Sequence, residues 1–249
     1  MRNPPGGRQI PAITTQSSHQ PPDSSAQAST ARTLGDRLAT ALRGVGPIGL
    51  LVLVVILLAG NLMGGLLVVA WSWLSHTPWR RLGLVRPRHL VRSVAVGLLA
   101  GTALKLFMKA VVMPLLGAQP INAAYHYLVG NRAALPGMLL TVVLAGGLVE
   151  EIIWRGYLFE RLGRLLPAGA RGKALVVFIA AVLFGMAHYP DQGLAGVEQA
   201  IVTGTVFGGI FMVTGELWLP IVMHAAFDVA AVLIIYWNLE SNIAHFIFR

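Results

Sequence analysis

Between Pro136 and Gly156 an apolar run carries two adjacent carboxylates and an arginine near its end, in the stretch Leu148-Val149-Glu150-Glu151-Ile152-Ile153-Trp154-Arg155-Gly156. Placing an Asp, Lys or Arg at the centre of a membrane helix costs on the order of 2.5–3.5 kcal/mol, so ionisable residues at such positions mark a functional site by default. Helix geometry sorts the three. Glu151 and Arg155 stand one turn apart on one face and can neutralise each other. Glu150 is turned about 100° away from Glu151 and is not the natural partner of the arginine. One glutamate is thus structural and the other is free to accept and return protons. The competing reading is a salt-bridge cluster that only holds helices together.

The rest of the chain makes a membrane setting the only one available. Its 249 residues are 55% hydrophobic and 12% charged, with a mean hydropathy of +0.68. Several runs reach the roughly 20 apolar residues that a spanning helix needs. The expected fold is all-α, a polytopic membrane bundle of about six spanning helices behind a disordered amino-terminal tail. Cysteine is absent, which excludes disulfides, thiolate metal sites and a cysteine nucleophile. The net charge of +9 comes mostly from arginine and reads as a topology signal and an attraction to anionic headgroups. There is no P-loop, dinucleotide fingerprint or aromatic-interleaved basic patch, so the expected partners are the lipid bilayer and a substrate within it, and no nucleic acid.

Residues 1–46 are rich in Pro, Ser, Gln and basic side chains and form the expected disordered tail, with a surface helix over 31–43 as an alternative to a solvated linker. A first span is expected over Pro47–Leu74, kinked or tilted at its Gly60-Asn61 centre, with Trp71, Trp73 and Trp79 as an interfacial belt. The arginine-rich segment Arg80–Arg92 is then cytoplasmic by the positive-inside rule. A second span covers Ser93–Leu116, its Lys105 and Lys109 snorkelling or facing the bundle. The third runs from Pro136 to about Arg164, and the basic segment to Lys173 is cytoplasmic again. A fourth, Ala174–His188, is stopped by Pro190; a fifth covers Val197–Val213 and a sixth Leu217–Trp237. Six spans put both termini outside the cytoplasm. The basic tail opposes this, and an extra re-entrant or kinked first segment would resolve the conflict.

Two further helices carry ionisable groups. His188 follows Phe184 by one turn at the end of the fourth span, and His224 and Asp228 are one turn apart in the sixth. A lone buried histidine is most often a satisfied core residue, but three helices each offering an acid or imidazole favour one shared cavity, because buried ionisable groups are each other's cheapest partners. The expected cavity holds Glu150, His188, His224 and Asp228. A carboxylate and a neutral imidazole sharing a water make a general base for hydrolysis, and a second histidine oriented by an acid can donate to an oxyanion. The same residues offer another use, a zinc ion held by Glu150, His188 and His224 with a water. No His-Glu-x-x-His helix is present to support it. A third use, in a transporter or proton relay, needs the same titrating groups and no hydrolysis.

Glu150-Glu151-x-x-x-Arg155, Phe184-x-x-x-His188 and His224-x-x-x-Asp228, in that order on successive apolar helices, resemble the three motifs of the CPBP family of intramembrane proteases. That family includes the type II CAAX prenyl endopeptidase and the bacteriocin-immunity (Abi) proteins. The resemblance spans about residues 80–237 and implies that 47–249 is a membrane-embedded protease domain. It implies that Glu150 and His188 activate the attacking water, that His224 and Asp228 act at the oxyanion, and that Glu151 and Arg155 are the supporting pair. The CAAX enzyme has Asn where this chain has Asp228; an ionised Asp cannot donate, so Asp228 here orients His224 and keeps it protonated. The family is often called a metalloprotease, and a metal-free glutamate mechanism is also argued for it; the latter is the expectation here. No residue marks a prenyl pocket, so the expected substrate is a membrane-associated or lipid-proximal peptide in a bacterial cytoplasmic membrane.

Overall fold

The computed structural model describes residues 34–87 and 89–248, and all its regular structure is helical. Five helices are long and apolar enough to cross a bilayer: Leu90–Leu115 (α4), Leu135–Leu165 (α5), Ala170–Ala187 (α6), Tyr189–Thr214 (α7) and Trp218–Tyr236 (α8). Three helices precede them, Leu34–Arg43 (α1), Pro47–Leu58 (α2) and Asn61–Leu74 (α3), and a short one, Glu240–Ala244 (α9), follows. The protein is a multi-pass membrane helix bundle.

The expected first span is not one helix. Gly60 has φ +76°, a backbone that glycine adopts without a Cβ penalty, and the chain reverses there. The two arms are antiparallel: an added Cβ on Gly64 would lie 3.0 Å from the Ile56 carbonyl near the turn, and Trp71 Nε1–H donates to the Leu42 carbonyl at 3.0 Å near the open end. Arg161 closes that open end. Its guanidinium donates to the Arg43 carbonyl at 2.7 Å and to the Gly44 carbonyl, and stands 5.7 Å from the Trp71 ring. At 1.5 Å per residue α2 is ~18 Å long, well short of the ~30 Å hydrocarbon core. Residues 47–74 are therefore a hairpin of two short helices, re-entrant in shape, rather than one span.

Other expectations shift for similar reasons. α1 turns into α2 through a 62° bend, and its Ala39 and Leu42 are buried, so ordered chain begins before the expected boundary at 47; the part of the tail expectation on residues 1–33 lies outside the described residues. Trp71 is 2% exposed and hydrogen-bonded inside the protein, not part of an interfacial belt, whereas Trp73 and Trp79 are exposed. Pro190 does not merely stop α6. It occupies the first turn of α7, where its missing N–H costs nothing, and α7 kinks at Gly193 before running on through the expected fifth span.

Close approach of α4, α5 and α8 frames the site. A Cβ on Gly101 of α4 would sit 2.1 Å from the Met223 carbonyl oxygen, and one on Gly147 of α5 would sit 2.7 Å from the Ala225 Cβ. Without a hydrophobic force between helices in lipid, such small-residue contacts and the dispersion they permit supply the packing. Gly101→Val is expected to lower the melting temperature of the detergent-solubilised protein, with overpacking costing about 1–3 kcal/mol. Gly209→Ala, at a position with open space around it, should leave the melt unchanged. Equal melts for the two variants would refute the packing account.

Candidate active site

Glu150 and Glu151 lie at the middle of α5, where the backbone departs from α geometry: Val142–Glu150 and Ile152–Tyr157 form wider π-helical turns on either side of Glu151. Such turns are rare and concentrate at functional sites. The two carboxylates take up different surroundings. Glu151 is fully buried, and its Oε1 accepts from Arg155 Nη1–H at 2.7 Å and from His224 Nδ1–H at 2.7 Å. Glu150 looks into a cavity of about 760 Å³, where its Oε1 accepts from Asn61 Nδ2–H at 2.7 Å. The re-entrant turn delivers that amide, since Asn61 is the first residue of α3 beyond Gly60.

His224 is held on both ring nitrogens. A carboxylate accepts only, so Nδ1 carries a hydrogen and donates it to Glu151. Nε2 stands 3.5 Å from Asp228 Oδ2 and 3.9 Å from Glu150 Oε2. The ring also lies 5.1 Å from that of Phe207 and 6.1 Å from that of Phe184. Arg155 sits above the same two phenylalanines, 4.4 Å from Phe184 and 5.5 Å from Phe207. Two aromatic faces thus carry the arginine while its carboxylate partner holds the histidine. The i, i+4 spacing pairs Glu151 with Arg155 as expected, and His224 stands between the expected Asp228 and a second carboxylate, Glu151. The shorter contact on the ring is that of Glu151, made possible because α5 and α8 touch through Gly147 and Ala225.

His188 caps α6, and its Nδ1 is 2.8 Å from the Phe184 carbonyl. A carbonyl can only accept, so Nδ1 donates and Nε2 keeps a lone pair in the neutral ring. His188 is packed edge-on against Phe184 at 4.6 Å and lines the same cavity as Glu150, His224 and Asp228. The structure therefore brings all four sequence-selected residues to one hollow.

The zinc set Glu150, His188 and His224 is not brought together as ligands: among the described residues no three His, Asp or Glu side chains are grouped as a metal ion requires.

Several polar residues at the cavity were not singled out from sequence. Asn61 is one; the signal was a carboxamide beside a glycine inside an apolar run. Gln199 of α7 accepts from Lys105 Nζ at 3.0 Å, and it too was an amide within an apolar stretch. Glu240 of α9 pairs with Lys109 at 2.9 Å and accepts from the Asn122 N–H at 3.0 Å; nothing in its local sequence points there. Tyr125 also faces the cavity, 3.4 Å from Gln192. Burial first, and then the acids Asp191, Asp228 and Glu150, push its hydroxyl above the usual tyrosine range, which keeps it a neutral donor.

Residues 132–230, which hold all three motifs, match the family model described as type II CAAX prenyl endopeptidase Rce1-like. This segment is similar to an Rce1-like domain. No curated protein and no solved structure matches the chain. The Rce1-like match covers α5 to α7 and α8 up to residue 230 and leaves out the re-entrant hairpin and α4, although both supply cavity walls. The matched segment and the cluster of acids and imidazoles coincide at the cavity.

Arg155→Met would strand the buried Glu151 charge with His224 as its remaining partner. Removing one member of a buried pair costs about 3–5 kcal/mol, so this variant should melt far below the parent. Adding Glu151→Gln to it should restore part of the loss, read as a positive coupling in a double-mutant cycle. Additive losses would show that the two side chains act independently.

Proposed function

We propose that the protein is an intramembrane endopeptidase that hydrolyses peptide bonds of membrane-associated substrates by a glutamate mechanism. The observation that carries this reading is the shared cavity: Glu150, His188, His224 and Asp228, from three helices, open on one hollow beside the middle of α5. A water there loses a proton to Glu150, with the lone pair of His188 Nε2 helping to align it. The hydroxide attacks the peptide carbonyl carbon, and the carbonyl oxygen becomes an oxyanion. A proton on His224 Nε2, supported by the Asp228 carboxylate at 3.5 Å and by Glu151 through Nδ1, stabilises that oxygen. Glu150 then returns the proton to the departing amine as the C–N bond breaks. Asn61 fixes the rotamer of Glu150 by holding Oε1, so that Oε2 is the atom left for water.

The cavity lies beside the re-entrant hairpin, which lines it through Asn61. An extended peptide can approach from the bilayer while the scissile bond meets water inside the protein. The host membrane in this reading is a bacterial cytoplasmic membrane, and the substrate is a lipid-modified or lipid-proximal peptide, in keeping with the prenyl endopeptidase description of the matching family.

Glu150→Gln should lose about 10²–10⁴-fold in cleavage of a reconstituted farnesylated peptide while melting like the parent, the loss being that of a general base. His188→Gln should fall in the same range. Unchanged cleavage by purified Glu150→Gln protein would overturn the base assignment. Retained cleavage after exhaustive chelation is expected of the glutamate mechanism, and activity regained only on adding zinc would refute it. A transporter or proton relay would instead lose coupled transport in Glu150→Gln and cleave nothing in either form.

A further inference from the structure

The acids of α5 and α8 all have partners. Glu150 accepts from Asn61, Glu151 from Arg155 and His224, and Glu160 from Arg164, while Asp228 stands 3.5 Å from His224 Nε2. Glu198 of α7 is different. Among the described residues it has no hydrogen bond and no ion pair. It is partly exposed and does not line the cavity. The next residue, Gln199, bonds to Lys105 near the middle of the 26-residue α4, so Glu198 lies at that depth and not at the bilayer surface. An unpaired carboxylate there is costly, because hydrocarbon offers it no donor and no counter-ion.

Helix geometry gives the direction it faces. At about 100° per residue, Leu194, Glu198, Thr205 and Gly209 fall within one ~40° sector of α7. Leu194 is 65% exposed, Thr205 is exposed, and a Cβ added at Gly209 would meet no atom within 4 Å. Gly196, Ala200, Thr203 and Phe207, on the opposite side of the helix, are buried. Glu198 therefore points away from the cavity, to the lipid side of α7. The Thr205 hydroxyl on this face is satisfied by the Ile201 carbonyl at 2.8 Å, which leaves the carboxylate as the group that needs a partner. Below it, Thr205 and Gly209 are four residues apart and small, so a neighbouring helix backbone can come close.

A cation at the same depth would neutralise the carboxylate, and the chain's own cations there are engaged. Lys105 bonds to Gln199 inside the cavity, Lys109 pairs with Glu240, and Arg155 is 2% exposed and pairs with Glu151. Among the described residues a second copy of this chain thus brings no exposed cation to this level. Lipid ammonium groups sit at the bilayer surface, and a peptide held in the cavity lies on the other side of α7.

We propose that the outward face of α7 docks a transmembrane helix of another protein, one that brings a lysine or arginine to Glu198. The two charges leave the hydrocarbon as a pair, and Thr205 and Gly209 seat the backbone of the incoming helix.

The test uses the full chain, labelled with a fluorescence donor, in phosphatidylcholine proteoliposomes. The probe is an acceptor-labelled leucine-rich peptide of about 21 residues, enough to span the bilayer, with one lysine placed level with Glu198. A second peptide has leucine in place of that lysine. The parent protein is expected to associate with the lysine peptide at least tenfold more tightly than with the leucine peptide. Glu198→Gln should hold the two within twofold of each other, and Gly209→Leu should weaken the lysine peptide several-fold. No preference in the parent, or an undiminished one in Glu198→Gln, overturns the proposal; the parent ratio needs no variant, so misfolding of a mutant cannot rescue it. Association unchanged by Gly209→Leu places the helix elsewhere and overturns the docking face. Energy transfer between donor- and acceptor-labelled copies of the parent, lost in Glu198→Gln, would reveal a second copy as the occupant and overturn the assignment to another protein.

Discussion

Much of the structure depends on one oxygen atom. Glu151 Oε1 accepts from Arg155 and from His224 at 2.7 Å each, in a position sealed from solvent. Three charged or polar side chains at this depth would each be costly alone, and together they are a compensated set. Because Arg155 also lies against Phe184 and Phe207, and His224 against the same two rings, the carboxylate ties α5 to α6, α7 and α8 at once. The supporting pair read from the motif is thus the fastening of the site, and Glu150 is free to face the cavity because its neighbour carries the structural duty.

A second constraint is how close the helices come. Gly101 and Gly147 let α4 and α5 reach the α8 backbone, and this puts Lys105 over Phe227 and Glu151 against His224. The π-helical turns around Glu151 belong to the same compromise. They widen α5 where it must present two consecutive carboxylates to two different surroundings, at the expense of regular i→i−4 bonding.

The re-entrant hairpin shows how two short apolar helices can wall a cavity. Its two arms are pinned at the open end by Arg161 and Trp71, and its turn reaches Glu150 through Asn61. Polar backbone at such a turn is tolerated at depth only where protein or water surrounds it, and here the turn borders the cavity that Asn61 lines. The hairpin lies outside the Rce1-like segment, so the wall opposite the motifs is supplied by residues the family match does not include.

The apolar run lengths determined by themselves that the chain is an all-helical membrane bundle, since hydrocarbon admits few other ways to satisfy a backbone. Single-turn spacing determined the Glu151–Arg155 pair and placed His224 with Asp228, because i and i+4 share a helix face whatever packs against it. Mean hydropathy could not tell a span from a hairpin over Pro47–Leu74: both bury the same side chains, and only the positive φ at Gly60 and the return of Trp71 to Leu42 separate them. Tertiary structure alone brought Asn61 to Glu150, Gln199 to Lys105 and Glu240 to Lys109, as these partners are 89, 94 and 131 residues apart in the chain. It also decided that Glu151, rather than Asp228, makes the shorter bond to His224. Which of two acids reaches an imidazole depends on how closely two helices approach, and no spacing within one helix encodes that distance.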